Sequence, residues 1–127
     1  MRAIDTNVVV RYLVNDDPVQ ERVASAIVRE AFLLTATVLM ETEWVLRAVY
    51  HWPRARTHAA LAALIDLPSA SVPEGMVWAL ERFALGADLA DMIHITSSTS
   101  ADRFATFDLG AARAAADNGP LPIETLA

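Results

Sequence analysis

A chain of 127 residues suits one ordinary domain, and 54% hydrophobic with 20% charged residues supplies material for a core and excludes a disordered tail. The absence of cysteine excludes a disulfide framework, a thiolate nucleophile and a cysteine zinc site, and fits a cytoplasmic location. A net charge of −6 excludes coating of nucleic acid by bulk positive charge, although all ten basic residues are arginine, the side chain suited to bidentate phosphate contacts.

Arg2-Ala3-Ile4 reads as a short buried strand, and Asp5-Thr6-Asn7 then stops it and caps a helix that opens on Val8-Val9-Val10. Asp5 therefore falls at a strand's carboxyl end, the edge where open α/β sheets bind ligands. The opening residues reach a carboxylate too early for a secretory leader, and no apolar run is long enough for a membrane span. Asp16-Asp17-Pro18 predicts a turn and then a helix with Val23, Ala26, Ile27 and Ala31 at core spacing.

A second buried strand is expected over 32–36, and Thr37 is expected to cap a helix that reaches Tyr50 before Pro53 breaks it. An alanine-rich helix over 54–66 stops at Pro68, and Ser71-Val72 reads as a short strand. The helix over 75–85 is apolar nearly all round, which suits either a core position or an interface. A helix over 89–100, a strand over 104–107, a helix over 109–116 and a last strand over 120–123 complete the series. Strands alternating with helices predict a single α/β domain over 1–127, with a short central parallel sheet of four to five strands flanked by helices on both faces.

Of the sixteen acidic residues, Asp5, Glu41, Asp91 and Asp108 stand in or beside apolar sequence. An isolated charge is costly there, so several converging acids point to a shared divalent cation. Stepping about 100° per residue along 38–49 puts Glu41 on the apolar face between Ala48 and Val45, and Glu43 on the solvated face one turn before Arg47. Asp91 lies at the edge of the stripe Leu89, Met92 and Ile95, three residues after Asp88, and either acid could cap that helix. Asp108 follows the strand over 104–107 and either shares the carboxyl edge with Asp5 or caps the next helix.

Trp44 and Trp78, at helical spacing among aliphatic residues, read as core rather than as platforms for stacking bases. The three histidines lack zinc spacing, and neither a P-loop, a dinucleotide fingerprint nor a nucleophile elbow is present. Asn7 in place of a second acid and the lack of lysine argue against phosphotransfer of the haloacid-dehalogenase or response-regulator kind.

Taken in order, Ile4-Asp5-Thr6-Asn7-Val8 with Arg11-Tyr12-Leu13, then Glu41-Thr42-Glu43-Trp44-Val45-Leu46-Arg47, Asp91-Met92-Ile93-His94 and Thr106-Phe107-Asp108 resemble the PIN-domain nucleases. More narrowly, they resemble the VapC-like toxins of type II toxin-antitoxin pairs, over essentially the whole chain. The resemblance implies that Asp5, Glu41, Asp91 and Asp108 are the catalytic, metal-binding set, choosing Asp91 over Asp88, with Thr6, Asn7 and Thr106 in supporting roles. It implies an endoribonuclease using Mg²⁺, with Mn²⁺ as a substitute, that acts on RNA as a homodimer and is inhibited by a VapB-like antitoxin. Asp5 and Asp108 are assigned as direct ligands, with Glu41 and Asp91 reaching the ion through intervening water or positioning the nucleophile. The non-enzymatic alternative is a PIN-like module that binds metal or protein without cutting, against which the intact acids argue.

Overall fold

A computed structural model describes residues 1–127 as five short strands and seven helices. They fall into two units, Met1–Pro73 and Glu74–Ala127.

The first unit runs β1 (Arg2–Ala3), α1 (Thr6–Val14), α2 (Pro18–Arg29), β2 (Phe32–Leu33), α3 (Ala36–Ala48), α4 (Arg54–Ile65) and β3 (Ala70–Ser71). Side-chain oxygens fix where the helices begin. Asp5 accepts from the N–H of Val8, Asp17 from that of Gln20 with Pro18 in the first turn, and Thr35 from that of Val38. Thr35, rather than the expected Thr37, is thus the cap of α3, which shortens the preceding strand to two residues.

The strands pair in parallel in the order β1-β2-β3, with Arg2 opposite Phe32 and Phe32 opposite Ala70. Both crossovers step the same way across the sheet, so the right-handed rule for parallel connections puts α1 to α4 on one face. The packing of α1 on α2 and α3, and of α3 on α4, agrees with this. Phe32, Leu34, Val9, Leu39, Leu46, Leu61 and Leu64 are almost wholly buried and form the core of this unit.

On α2 the buried residues are Ala24 and Val28, one position on from the expected phase, while Val23 is 58% exposed and Ala26 and Ala31 are also exposed. Apolar residues occupy adjacent turns of this helix, so the sequence period leaves its rotation free and packing against α1 decides it. Val19 and Val23 instead border an open groove with Val8, Arg11 and Ile27.

The second unit runs α5 (Met76–Ala84), α6 (Leu89–Thr96), β4 (Phe104–Thr106), α7 (Leu109–Ala115) and β5 (Ile123–Thr125). β4 and β5 pair in parallel, with Phe104 opposite Ile123. α5 packs on α6, and α7 packs on α6 and on both strands. Leu89, Met92, Ile95, Met76, Ala79 and Leu80 are buried, whereas Val77 on the other side of α5 is 61% exposed.

The single sheet of four to five strands is corrected to a three-stranded and a separate two-stranded sheet. Helix caps directly after β1, β2 and β4 leave only two or three residues for pairing. Proline sets the limit at the last strand: Pro122 offers its carbonyl to the N–H of Phe104 at 2.8 Å but has no N–H for a ladder, so β5 starts at Ile123 rather than at 120. The helix expected over 89–100 likewise ends at Thr96. The following Ser97-Ser98-Thr99-Ser100 run competes for backbone hydrogen bonds, as the Ser98 hydroxyl does by donating to the His94 carbonyl at 2.7 Å. No helix is long and apolar enough to cross a membrane.

Gly75, the N-cap of α5, has φ +92°, and a Cβ there would lie 2.9 Å from Cγ2 of the buried Thr96. Gly75→Ala is expected to cost about 1–3 kcal/mol through backbone strain and this clash. A urea titration that placed the variant level with wild type would show that the turn tolerates a side chain.

Candidate active site

In the first unit, the site begins where β1 ends. Asp5 is exposed, and its Oδ1 accepts from the N–H of Val8 at 3.2 Å. Because a carboxylate has two acceptor oxygens, this cap leaves Oδ2 with capacity for another partner. Thr6 follows as the first, buried residue of α1, and its hydroxyl donates to Oε1 of Glu41 on α3. One hydrogen bond therefore ties the chain leaving β1 to the helix carrying the second acid. Asn7 is exposed and borders the groove between α1 and α2.

The helical phase expected for α3 is reversed. Glu41 is exposed, whereas Glu43 is 5% exposed and accepts from Arg47 Nε at 3.0 Å. The inward face consists of Leu39, Thr42, Glu43 and Leu46, with the Thr42 hydroxyl satisfied by the Val38 carbonyl at 2.7 Å. Two polar residues on the inner face and Trp44, Ala48 and Val49 on the outer one invert the apolar pattern. Arg47→Met would leave the Glu43 carboxylate buried without this partner. The expected cost is about 1–2 kcal/mol, less than for a fully buried pair because Arg47 is half exposed. Adding Glu43→Met should return part of it; strict additivity in the double-mutant cycle would refute the coupling.

In the second unit, Asp88 caps α6, its Oδ1 accepting from the N–H of Asp91 at 3.0 Å. The capping role is therefore taken by Asp88, and the Asp91 carboxylate remains for other work. Asp91 is half-buried, and that burial, followed by the negative charges of Asp88 and Asp108, raises its carboxyl above the usual aspartate range, with His94 opposing. Asp108 lies just beyond β4. Its Oδ1 caps α7 by accepting from the N–H of Ala111 at 3.1 Å, while its own N–H donates to Thr106 Oγ1 at 2.9 Å. Gly110 preserves room for this carboxylate, since a Cβ there would come within 3.1 Å of Oδ1.

The acids thus occur as Asp5 with Glu41 in one unit and Asp91 with Asp108 in the other. Apart from Asp91 they are exposed, because strand ends and helix caps bring them to the surface despite their apolar sequence neighbours. No group of three or more acidic or histidine side chains forms a ready-made metal cage. Mg²⁺ does not require one: it takes one or two carboxylates and completes its octahedron with water and substrate phosphate. The hard oxygen donors and the crowding of negative charge around Asp91 fit such a cation.

The aromatic residues also depart from expectation. Trp44 is 54% exposed, so it is not core, and Phe107, beside Asp108, is 74% exposed. Sequence spacing gave no sign of either, since the phase of α3 was inverted and β4 ends one residue earlier than expected.

The PIN domain family model matches residues 3–117. No curated protein and no solved structure matches the chain. The match runs through both units and includes the positions of all four acids; the chain belongs to the PIN-domain family, whose members are generally nucleases acting on nucleic acid.

Proposed function

We propose that this chain is a Mg²⁺-dependent endoribonuclease, with Mn²⁺ as a substitute, in which Asp5, Glu41, Asp91 and Asp108 serve a single reaction and residues 1–127 work as one domain. The supporting observation is a repeated arrangement. Each unit sets an aspartate just past a parallel strand and a second acid on a helix of the same unit: Asp5 with Glu41, and Asp108 with Asp91.

A divalent ion, when bound, neutralises charge on the scissile phosphate and activates water. Asp5 and Asp108 would hold such an ion through the carboxylate oxygens that their caps leave free. The Thr6 hydroxyl fixes Glu41, and the Thr106 hydroxyl fixes the backbone of Asp108. Asp91, with its raised pKa, is suited to accept a proton or to orient the attacking water. Asn7 is a polar contact at the margin.

The choice of RNA rests on the resemblance to VapC-like toxins. So do the toxin role, the homodimer, the VapB-like antitoxin and the cytoplasmic setting. A labelled RNA panel incubated with Mg²⁺ or Mn²⁺ tests the reading against Asp5→Asn. Metal-dependent cutting lost in the variant supports the nuclease; tight binding of a protein partner without cutting supports an interaction module.

A further inference from the structure

We infer that Trp44 is a base-stacking residue that holds a nucleobase of single-stranded RNA beside the acid pair Asp5 and Glu41; this rests on the nuclease reading. Trp44 follows Glu41 by three positions on α3, which puts their Cβ atoms about 5–6 Å apart on one helix face. Helical side chains lean back over the preceding turn, so the indole covers the turn that carries Glu41. Glu41 in turn receives the Thr6 hydroxyl one residue past Asp5.

Trp44 is the tryptophan left open for stacking. Arg56 lies 3.8 Å over the Trp52 ring, and Trp78 has its Nε1 buried and its Cζ2 edge against Gly119. Trp44 is 54% exposed even though Leu39, Thr42, Glu43 and Leu46 complete the inner face of its helix. The inner face of α3 is thus complete without Trp44, and more than half of this side chain is open to solvent.

Net charge sets how such a contact would gain its affinity. With sixteen acids against ten arginines, the chain has little counterion-release energy to offer a polyanion. Stacking adds affinity without charge, tolerates any base, and needs an unpaired strand whose bases can turn outward.

The test measures binding of a fluorescein-labelled, mixed-sequence single-stranded RNA to proteins carrying Asp5→Asn, which removes turnover, and cleavage of the same RNA with Mg²⁺ by proteins that retain Asp5. Trp44→Ala is expected to weaken binding on the order of tenfold and to raise KM more than it lowers kcat. Trp44→Phe should restore most of the loss and Trp44→Leu little of it, while Leu85→Ser, another exposed apolar site, should match wild type. Equal rescue by leucine and phenylalanine, or unchanged binding with a dimer converted to monomer in sedimentation, would assign Trp44 to a protein interface and overturn the inference. Wild-type cleavage together with unchanged Trp44→Ala kinetics would overturn stacking alone. Neither binding nor cleavage by wild type would overturn the nuclease reading as well.

Discussion

Asp5→Asn is expected to slow RNA hydrolysis about a thousandfold or more while leaving the metal-free fold close to wild type. A metal acting on a phosphoryl group contributes several kcal/mol of transition-state stabilisation, and each 1.36 kcal/mol is about a factor of ten in rate. On the proposed assignment, Asp5→Asn removes a charged ligand of the ion and forfeits much of that. Asparagine, however, keeps Oδ1 as an acceptor and caps helices about as well as aspartate, so the bond from the N–H of Val8 survives. Asp5→Ala separates the two roles, because it loses the cap as well, at about 1 kcal/mol of stability. Asp88→Asn, which keeps the cap of α6 and removes one negative charge from beside Asp91, should remain active where Asp91→Asn does not. If the two acid pairs serve one reaction, Asp5→Asn combined with Asp108→Asn should be hardly slower than either alone. Single-turnover cleavage measures all of these rates. An Asp5→Asn protein that cut at the wild-type rate would end the assignment.

What made Asp5 and Asp108 legible in the sequence is that strand ends and helix caps are local. A strand of two or three residues followed by aspartate and an apolar turn fixes its own geometry, whatever packs above it. Glu41 and Glu43 show where local reasoning stops. Burial on α3 depends on which neighbour supplies the core, and a threonine that satisfies itself on Val38 and a glutamate paired with Arg47 can face inward. The inward face that the helical period predicts for Glu41 is not the one it takes in the fold, and its place beside Thr6 depends on packing between α1 and α3 that no single segment encodes. The division into two sheets was hidden for a related reason: strand propensity marks where pairing could occur, while caps and prolines decide how little of it does.

Adding Mg²⁺ should raise the melting temperature of the wild type more at neutral pH than at mildly acidic pH, and Asp91→Asn should blunt that difference. Asp91 is raised above the usual aspartate range by burial and then by Asp88 and Asp108. A carboxyl with a raised pKa in the folded state binds its proton more tightly there than in the unfolded chain. Its contribution to stability is therefore complete below the unfolded value of about 3.9 and is lost as pH rises through the folded value. In EDTA the wild type should accordingly lose stability across that window, and Asp91→Asn, which is never charged, should lose less. A cation has the opposite sign, since it favours the ionised carboxylates, so its stabilisation grows as they deprotonate. At a concentration a hundred times its Kd, the ion would contribute about 2.7 kcal/mol. Sodium chloride at matched ionic strength separates this from general screening of the −6 net charge. Equal melting temperatures in EDTA, Mg²⁺ and Mn²⁺ at neutral pH would refute binding of the cation by these acids in the substrate-free protein. A shift that Asp91→Asn left intact would remove Asp91 from the ion's contacts and leave it to Asp5 and Asp108.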